Sequence, residues 1–401
     1  MKPKVELKNV TKVFGKSPKN AIQLLEKGYS KKEILKETGL TVGVNKANLE
    51  VYPGEIFVVM GLSGSGKSTL IRMLNRLIDP TMGQILIDGR DIVKMTVPQL
   101  REVRRNKISM VFQNFALFPH KTVLENTEYG LALKNVPAEE RREKAMESLS
   151  VVGLKGYEHQ FPSQLSGGMQ QRVGLARALA SDTDILLMDE AFSALDPLIR
   201  KDMQDELLEL QETLKKTIIF ITHDLDEALR IGDRIALMKD GNVIQVGSPE
   251  EIMMNPANSY VERFVEDVDL SKVLQASHVL KRAERMTPDR GPRVALQIMK
   301  AQGYSSIFIV DRKQKLLGAI SAENASKAMT ENKTVEDVMD RDIVTVSEDT
   351  LLFDVIEALS QSIYPVAVTD KENRLKGVIV RGAVIGALAG NKEDINIREA
   401  E

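Results

Sequence analysis

Ile56-Phe57-Val58-Val59-Met60-Gly61-Leu62-Ser63-Gly64-Ser65-Gly66-Lys67-Ser68-Thr69 is the stretch from which the rest of the chain can be read. Five apolar residues without interruption suit a strand buried on both faces of a parallel sheet. The next eight, Gly61–Ser68, fit G-x-x-x-x-G-K-[ST] and run on into Thr69. Glycines let the backbone curl so that successive N–H groups face a phosphate, and the helix that follows from Lys67 to about Leu77 presents its positive end. Lys67 is placed to reach β- and γ-phosphates, and the Ser68 hydroxyl to ligate Mg²⁺.

Outward from this loop, Lys4–Phe14 alternates in strand fashion and ends at Gly15. Residues 18–41 are a helical detour that stops at Thr38-Gly39, and Val42–Val51 is again a strand. Further buried-strand candidates are Ile108–Phe112, Ile185–Met188, Ile218–Thr222 and Arg234–Met238, with helical segments between them. Strands alternating with helices predict a mainly parallel α/β sheet. Ile185-Leu186-Leu187-Met188 ends in Asp189-Glu190, two carboxylates at the edge where α/β sheets carry ligands. Asp189 is the candidate to hold Mg²⁺, and Glu190 the candidate general base toward an attacking water.

Between these lies Leu165-Ser166-Gly167-Gly168-Met169-Gln170-Gln171-Arg172. On its residues alone, Ser166 caps a helix starting near Gly167, which serves equally as an anion-binding helix start or an ordinary N-cap. With the two elements around it, the segment resembles the signature of the ATP-binding-cassette (ABC) ATPases. That resemblance implies that Ser166, Gly167, Gly168 and Gln170 contact the γ-phosphate side of ATP bound to an opposite subunit. It implies a Q-loop role for Gln113, touching Mg²⁺ and water beside a membrane subunit. Ser193-Ala194-Leu195-Asp196 matches the D-loop, with Asp196 near the nucleotide, and His223 matches the switch histidine. The loop residues Gly61, Ser63, Gly64, Ser65, Gly66, Lys67, Ser68 and Thr69 are the expected ATP cradle, and Phe14 the expected adenine-stacking residue.

The resemblance narrows to the ATPase subunits of glycine betaine/proline betaine importers. It is carried by the 18–41 insertion, by Leu74-Asn75-Arg76-Leu77, by Asp189–Arg200 and by His223-Asp224-Leu225-Asp226-Glu227-Ala228. It implies a homodimer that hydrolyses ATP at the cytoplasmic face of the plasma membrane. The partner it implies is an integral-membrane permease, fused to or served by a solute-binding protein.

The last third contains a repeat. Ile307–Asp311 matches Val366–Asp370 at an offset of 59, and Leu316, Gly318 and Ile320 match Leu375, Gly377 and Ile379. Two α+β units of this size bury little core alone and are expected to pack as a pair. The repeat resembles a tandem pair of cystathionine-β-synthase (CBS) domains, for which adenine nucleotides or a cyclic dinucleotide are candidate ligands. Gly318, Ser321 and Asn324 match the ribose-binding pattern of that family in part. Gly377, Val380 and Ala383 lack its hydroxyl and its acid. The expected organisation is a cassette at 1–268, a linker at 269–279, repeats at 280–333 and 334–391, and a short acidic tail at 392–401.

Composition bounds the partners. Lys+Arg 55 against Asp+Glu 57 gives a net charge of −2, and aromatics are 4% with no Trp, so neither a basic field nor a base-stacking surface marks a nucleic-acid binder. Zero Cys excludes disulfides and thiolate metal sites. The start MKPKVELKN lacks an apolar segment and no window approaches 18 uncharged apolar residues, so a peripheral rather than membrane-spanning chain is expected. Lys272, Lys281, Arg282, Arg285, Arg290, Arg293 and Lys300 face only Glu284 and Asp289 in their stretch, whereas 331–357 is strongly acidic. The basic run is a solvated face or a contact with anionic lipid or another subunit. Two alternatives stand beside the importer. A soluble cassette ATPase is disfavoured because the chain has neither a coiled-coil insertion nor a second cassette. An importer of another small amine or amino acid would carry a purely structural CBS pair.

Overall fold

The computed structural model describes residues 2–266 and 268–389, so the expected acidic tail at 392–401 lies outside the described residues. The chain divides into two compact units, residues 1–266 and 267–401. In the first, a six-stranded sheet runs in the order Asn242–Gly247, Arg234–Lys239, Ile56–Met60, Thr217–Thr222, Ile185–Asp189, Ile108–Val111. All its neighbours pair in parallel except the outermost Asn242–Gly247 strand. Phe57, Val58, Val59 and Met60 are completely buried, as an uninterrupted apolar central strand requires.

Val5–Phe14 and Thr41–Val51 do not join this sheet. With Met82–Ile87 and the short Arg90–Asp91 they form a separate antiparallel sheet. One apolar core fills the space between the two sheets: Val5, Val51 and Ile85 from the second meet Phe57, Val59 and Ile221 from the first, with Leu70 and Ile71 of the helix after the glycine loop. Each such side chain removed from water contributes about 1.5–3 kcal/mol. That helix covers Lys67–Leu74, three residues shorter than expected. Arg76 takes a left-handed conformation (φ 53°) and the Asn75 side chain accepts from the Leu77 N–H, which closes the helix before Leu77.

The expected detour at 18–41 is two helices, Pro18–Glu26 and Lys31–Thr38, and Ala21 and Ile34 are buried against Val13, Leu40 and Val42. A mainly helical region follows the Ile108–Val111 strand. It comprises Val123–Thr127, Tyr129–Leu133, Ala138–Val151 and Gly167–Ala180. The buried Asn126 amide donates to the carbonyls of Phe118, Lys121 and Thr122 and accepts from the Phe118 N–H, which ties the loop after Gln113 to this helical region.

In the second unit each repeat contributes a three-stranded sheet and flanking helices. The strands are Arg285–Met286, Ser306–Val310 and Leu316–Ser321 in one, and Thr345–Val346, Val366–Thr369 and Leu375–Ile379 in the other. The two repeats exchange backbone: Lys281 bridges to Val378, and Asp340 to Ala319. This explains both repeat glycines. A Cβ on Gly318 would lie 2.3 Å from the Asp340 carbonyl oxygen, and one on Gly377 2.6 Å from that of Lys281. Phe308, Val310 and Leu316 pack with Ala367, Leu375 and Val378 in one shared core. Residues 269–279, read as a linker, belong to this packing: Leu274, Ala276 and Val279 are buried, and the Ala276 and Ser277 N–H groups donate to the carbonyls of Thr350 and Glu348.

Candidate active site

The glycine loop is shaped by close backbone approach. Gly61, Gly64 and Gly66 have φ of 147°, 78° and 107°, values that L side chains rarely adopt. A Cβ on Gly61 would sit 2.2 Å from the Met238 carbonyl oxygen, and one on Gly66 2.3 Å from that of Gly43. The Lys67 ammonium, almost fully buried, donates to the carbonyls of Gly61 (2.7 Å) and Leu62 (3.3 Å). Burial holds its pKa below the usual lysine range, with Glu190 and Asp189 offsetting only part of that shift. Ser65 Oγ is buried without a hydrogen-bond partner, an arrangement that costs free energy unless a ligand serves it. A loop with an unpartnered hydroxyl, a buried ammonium, and three positive-φ glycines, two of them closed to any side chain by neighbouring backbone, fits a polyphosphate.

Glu190 is the hub of the site. It sits just beyond the Ile185–Asp189 strand in a left-handed conformation (φ 48°), with its N–H donating to the Ile221 carbonyl. Such strain in a non-glycine residue is held by the surroundings and is common at working sites. Its carboxylate lies 3.9 Å from Lys67 Nζ and 3.5 Å from His223 Nδ1, and it accepts from Gln113 Nε2 at 3.1 Å. Thus Lys67, Gln113, Glu190 and His223, widely separated in sequence, converge at the C-terminal ends of three adjacent strands and the loop after a fourth. Ser193, which the sequence marks only as part of the D-loop match, donates its hydroxyl to the Glu190 carbonyl (2.9 Å) and accepts from Gln113 (3.3 Å).

Asp189 is buried and pairs with Arg72 NH2 at 3.3 Å, a contact that the sequence pattern did not reveal. Among the described residues no three acidic or histidine side chains cluster as a metal cage. The oxygen donors at hand are the Asp189 carboxylate, the Ser68 hydroxyl and the Gln113 amide oxygen, whose amide nitrogen is already engaged. One carboxylate plus neutral oxygens, completed by substrate phosphate and water, is how Mg²⁺ is usually held, so the residues fit that ion.

Phe14 is partly exposed, with Lys12 Nζ 5.2 Å from its ring centroid. A Cβ on Gly43 would meet that ring at 2.7 Å and the Thr69 methyl at 3.2 Å, so Phe14 flanks the glycine loop. Ser166, Gly167, Gly168, Gln170 and Asp196 stand elsewhere. Ser166 caps the 14-residue helix Gly167–Ala180 by accepting from the Met169 N–H, and Gln170 donates to the Leu165 carbonyl. Asp196 starts the helix Pro197–Leu214 with its own side chain uncapped, and Arg200 holds the preceding turn through the Leu195 carbonyl. Among the described residues no hydrogen bond or ion pair joins these five to Lys67 or Glu190. Ser166, Gly167 and Asp196 are exposed.

Arg177, on the same helix as the signature, donates to the carbonyls of Ala116 (2.7 Å) and Phe115 (3.0 Å). Phe115 and Ala116 both have positive φ, so this guanidinium fixes the loop that carries Gln113. In the second unit, Ser321 caps the helix Ala322–Glu331 by accepting from the Asn324 N–H. The Asn324 side-chain amide reaches the Val338 carbonyl at 3.5 Å, and the Tyr364 hydroxyl donates to Asp340.

A parallel sheet with a glycine loop, an acid pair and a helical region with a serine-capped, glycine-led helix start defines an ATP-binding cassette. The ABC transporter family matches residues 44–193, and the CBS domain family matches residues 286–331 and 335–390. The chain is 65% identical over 98% of its length to a glycine betaine transport ATP-binding protein (OpuAA) of Bacillus subtilis, covering 94% of it. It is 50% identical, over 98% of its length and 99% of the relative, to the glycine betaine/proline betaine transport system ATP-binding protein ProV of Escherichia coli. Among solved structures, the dimeric ABC transporter cassette MJ0796 aligns with a TM-score of 0.53 and 36% identity, over 61% of this chain and 98% of the other. The same cassette is known as a dimer with ADP and phosphate after hydrolysis. The chain belongs to the glycine betaine/proline betaine ABC-transporter ATP-binding proteins with a C-terminal CBS pair. No helix among the described residues is long and apolar enough to cross a membrane.

Proposed function

We propose that this chain, as a homodimer at the cytoplasmic face of the membrane, hydrolyses ATP to drive import of glycine betaine or proline betaine through a separate permease subunit. The observation that carries the reading is the convergence of Lys67, Gln113 and His223 on Glu190 beside a loop shaped for polyphosphate. Glu190 orients water and accepts its proton as the water oxygen attacks the γ-phosphorus and the bond to the β-phosphate oxygen breaks. Lys67 turns from the Gly61 and Leu62 carbonyls toward the β- and γ-phosphates, and His223 holds the γ-phosphate side. Gln113 positions the attacking water and, through the loop fixed by Arg177, carries the state of the permease to Glu190. Ser68, Gln113 and Asp189 would hold Mg²⁺, which would supply neutralisation of the phosphate charge.

Ser166, Gly167, Gly168 and Gln170, with Asp196, serve the nucleotide of the partner protomer. The exposure of Ser166, Gly167 and Asp196, and the lack of any hydrogen bond from these five residues to Lys67 or Glu190 among the described residues, support this division, because a helix start open to solvent can take an anion from outside the chain. The CBS pair takes an adenine nucleotide or cyclic dinucleotide, and the exposed Arg282, Arg290, Arg293 and Lys300 meet anionic lipid, so that ionic strength sets transport. The test isolates this chain from membranes with its integral partner and reconstitutes the pair in liposomes. ATP hydrolysis and uptake that rise together with glycine betaine or proline betaine support the reading. Solute-independent hydrolysis with no integral partner overturns it.

A further inference from the structure

No step above uses the two-helix insertion between the first two strands, yet it touches the phosphate loop. The helix Lys31–Thr38 is fixed at both ends, by a reciprocal Ser30–Glu33 capping box and by Gly39 at φ 68°. Ile34 anchors it in a small core with Val13 and Val42 from the two strands that the insertion connects. Lys31, the first residue of this helix, thereby faces the crest of the loop, and its ammonium donates to the Gly64 carbonyl at 3.0 Å.

Two features make this more than a surface contact. A cation in the first turn opposes the positive end of a helix, so Lys31 breaks a local preference that the Gly64 carbonyl compensates. Gly64 lies at the open crest, with no atom within 4 Å of the position a Cβ would take, so side-chain packing does not hold it there. Across that peptide the Ser65 N–H makes a turn bond to the Leu62 carbonyl (3.1 Å), beside the partnerless Ser65 hydroxyl.

We propose that Lys31 is a positioning residue for the nucleotide. It holds the Gly64–Ser65 peptide against flipping, strengthens the Ser65 N–H turn bond to Leu62 across that peptide, and adds positive charge at the rim of the loop. This rests on the ATPase reading above, and it makes the insertion part of the ATP site.

The full-length chain is compared with Lys31→Ala, Lys31→Met, which keeps the apolar stem, and Lys31→Arg. ATP affinity by equilibrium dialysis and the ATPase KM and kcat are measured, with the thermal midpoint as a control. For Ala and Met, Kd and KM are expected to rise about threefold or more, the scale of an exposed charged contact, with kcat nearly unchanged and Arg close to the parent. Unchanged Kd and KM in both neutral variants, or a fall in kcat alone, overturns the proposal, as does Arg behaving like Ala. Dialysis reads Kd without turnover, so failure of the ATPase reading would show separately as binding without hydrolysis in the parent chain.

Discussion

Replacing Glu190 by Gln removes one negative charge from a crowded, largely buried site while keeping its shape. The carboxylate lies 3.9 Å from Lys67 Nζ, and the two side chains are 18% and 4% exposed. At an effective dielectric near 20 their gross attraction is about 4 kcal/mol. The variant loses that term in the free protein, but it also loses the repulsion between Glu190 and an incoming triphosphate of several negative charges. These changes favour ATP over the empty loop, so affinity should be equal or tighter. The proton acceptor is gone, and turnover should fall by about 10²–10⁴-fold, or roughly 3–5 kcal/mol in the barrier. ATP should therefore persist on the protein and hold a dimer through the Ser166 side of the partner. The assay combines phosphate release, equilibrium dialysis with ATP and size-exclusion chromatography with and without nucleotide. Turnover within tenfold of the parent chain, at full ATP occupancy, would refute Glu190 as the general base.

Two further outcomes follow from the structure. If Ser166 serves the nucleotide of the partner protomer, mixing Ser166→Arg chains with Lys67→Ala chains leaves one composite site intact per heterodimer, and ATP-dependent dimerisation should recover relative to either variant alone. Heterodimers that form without any such recovery would place each site within one chain. Asp184 accepts from Lys107 and Lys4 at 2.8 Å each, which lowers its pKa from 3.8 to about 2. A depressed carboxyl contributes stability above its unfolded pKa and loses it as pH falls through the folded one, so Asp184→Asn should destabilise most above about pH 4 and hardly at all near pH 2. With the side chain 45% exposed, solvent screening limits the effect to about 1 kcal/mol or less. Urea unfolding of the two chains from pH 2 to 7 checks it, and a difference that grows on acidification would contradict the assignment.

The local elements were written in neighbouring residues. Ile56–Thr69 announces strand, loop and helix in fourteen consecutive positions, and Ile185–Glu190 announces a buried strand with its acids, because burial on both faces and tight backbone curvature each demand particular residues within a few positions. The 59-residue repeat was legible for a similar reason, since the spacing of its apolar strands and glycines repeats in order. Contacts between distant segments were not legible. Nothing near Gln113 or His223 says that both lie within 3.5 Å of a Glu190 carboxylate oxygen, or that Arg177 holds the carbonyls of Phe115 and Ala116. Val5–Phe14 and Thr41–Val51 carry a strand pattern that leaves the choice of sheet open. Strand pairing depends on which partners cover their apolar faces, and tertiary packing set them in an antiparallel layer instead of the parallel one. The exchange of Lys281 and Asp340 between the CBS repeats, and the approach of Lys31 to Gly64, are likewise set only when separated segments close on a common core.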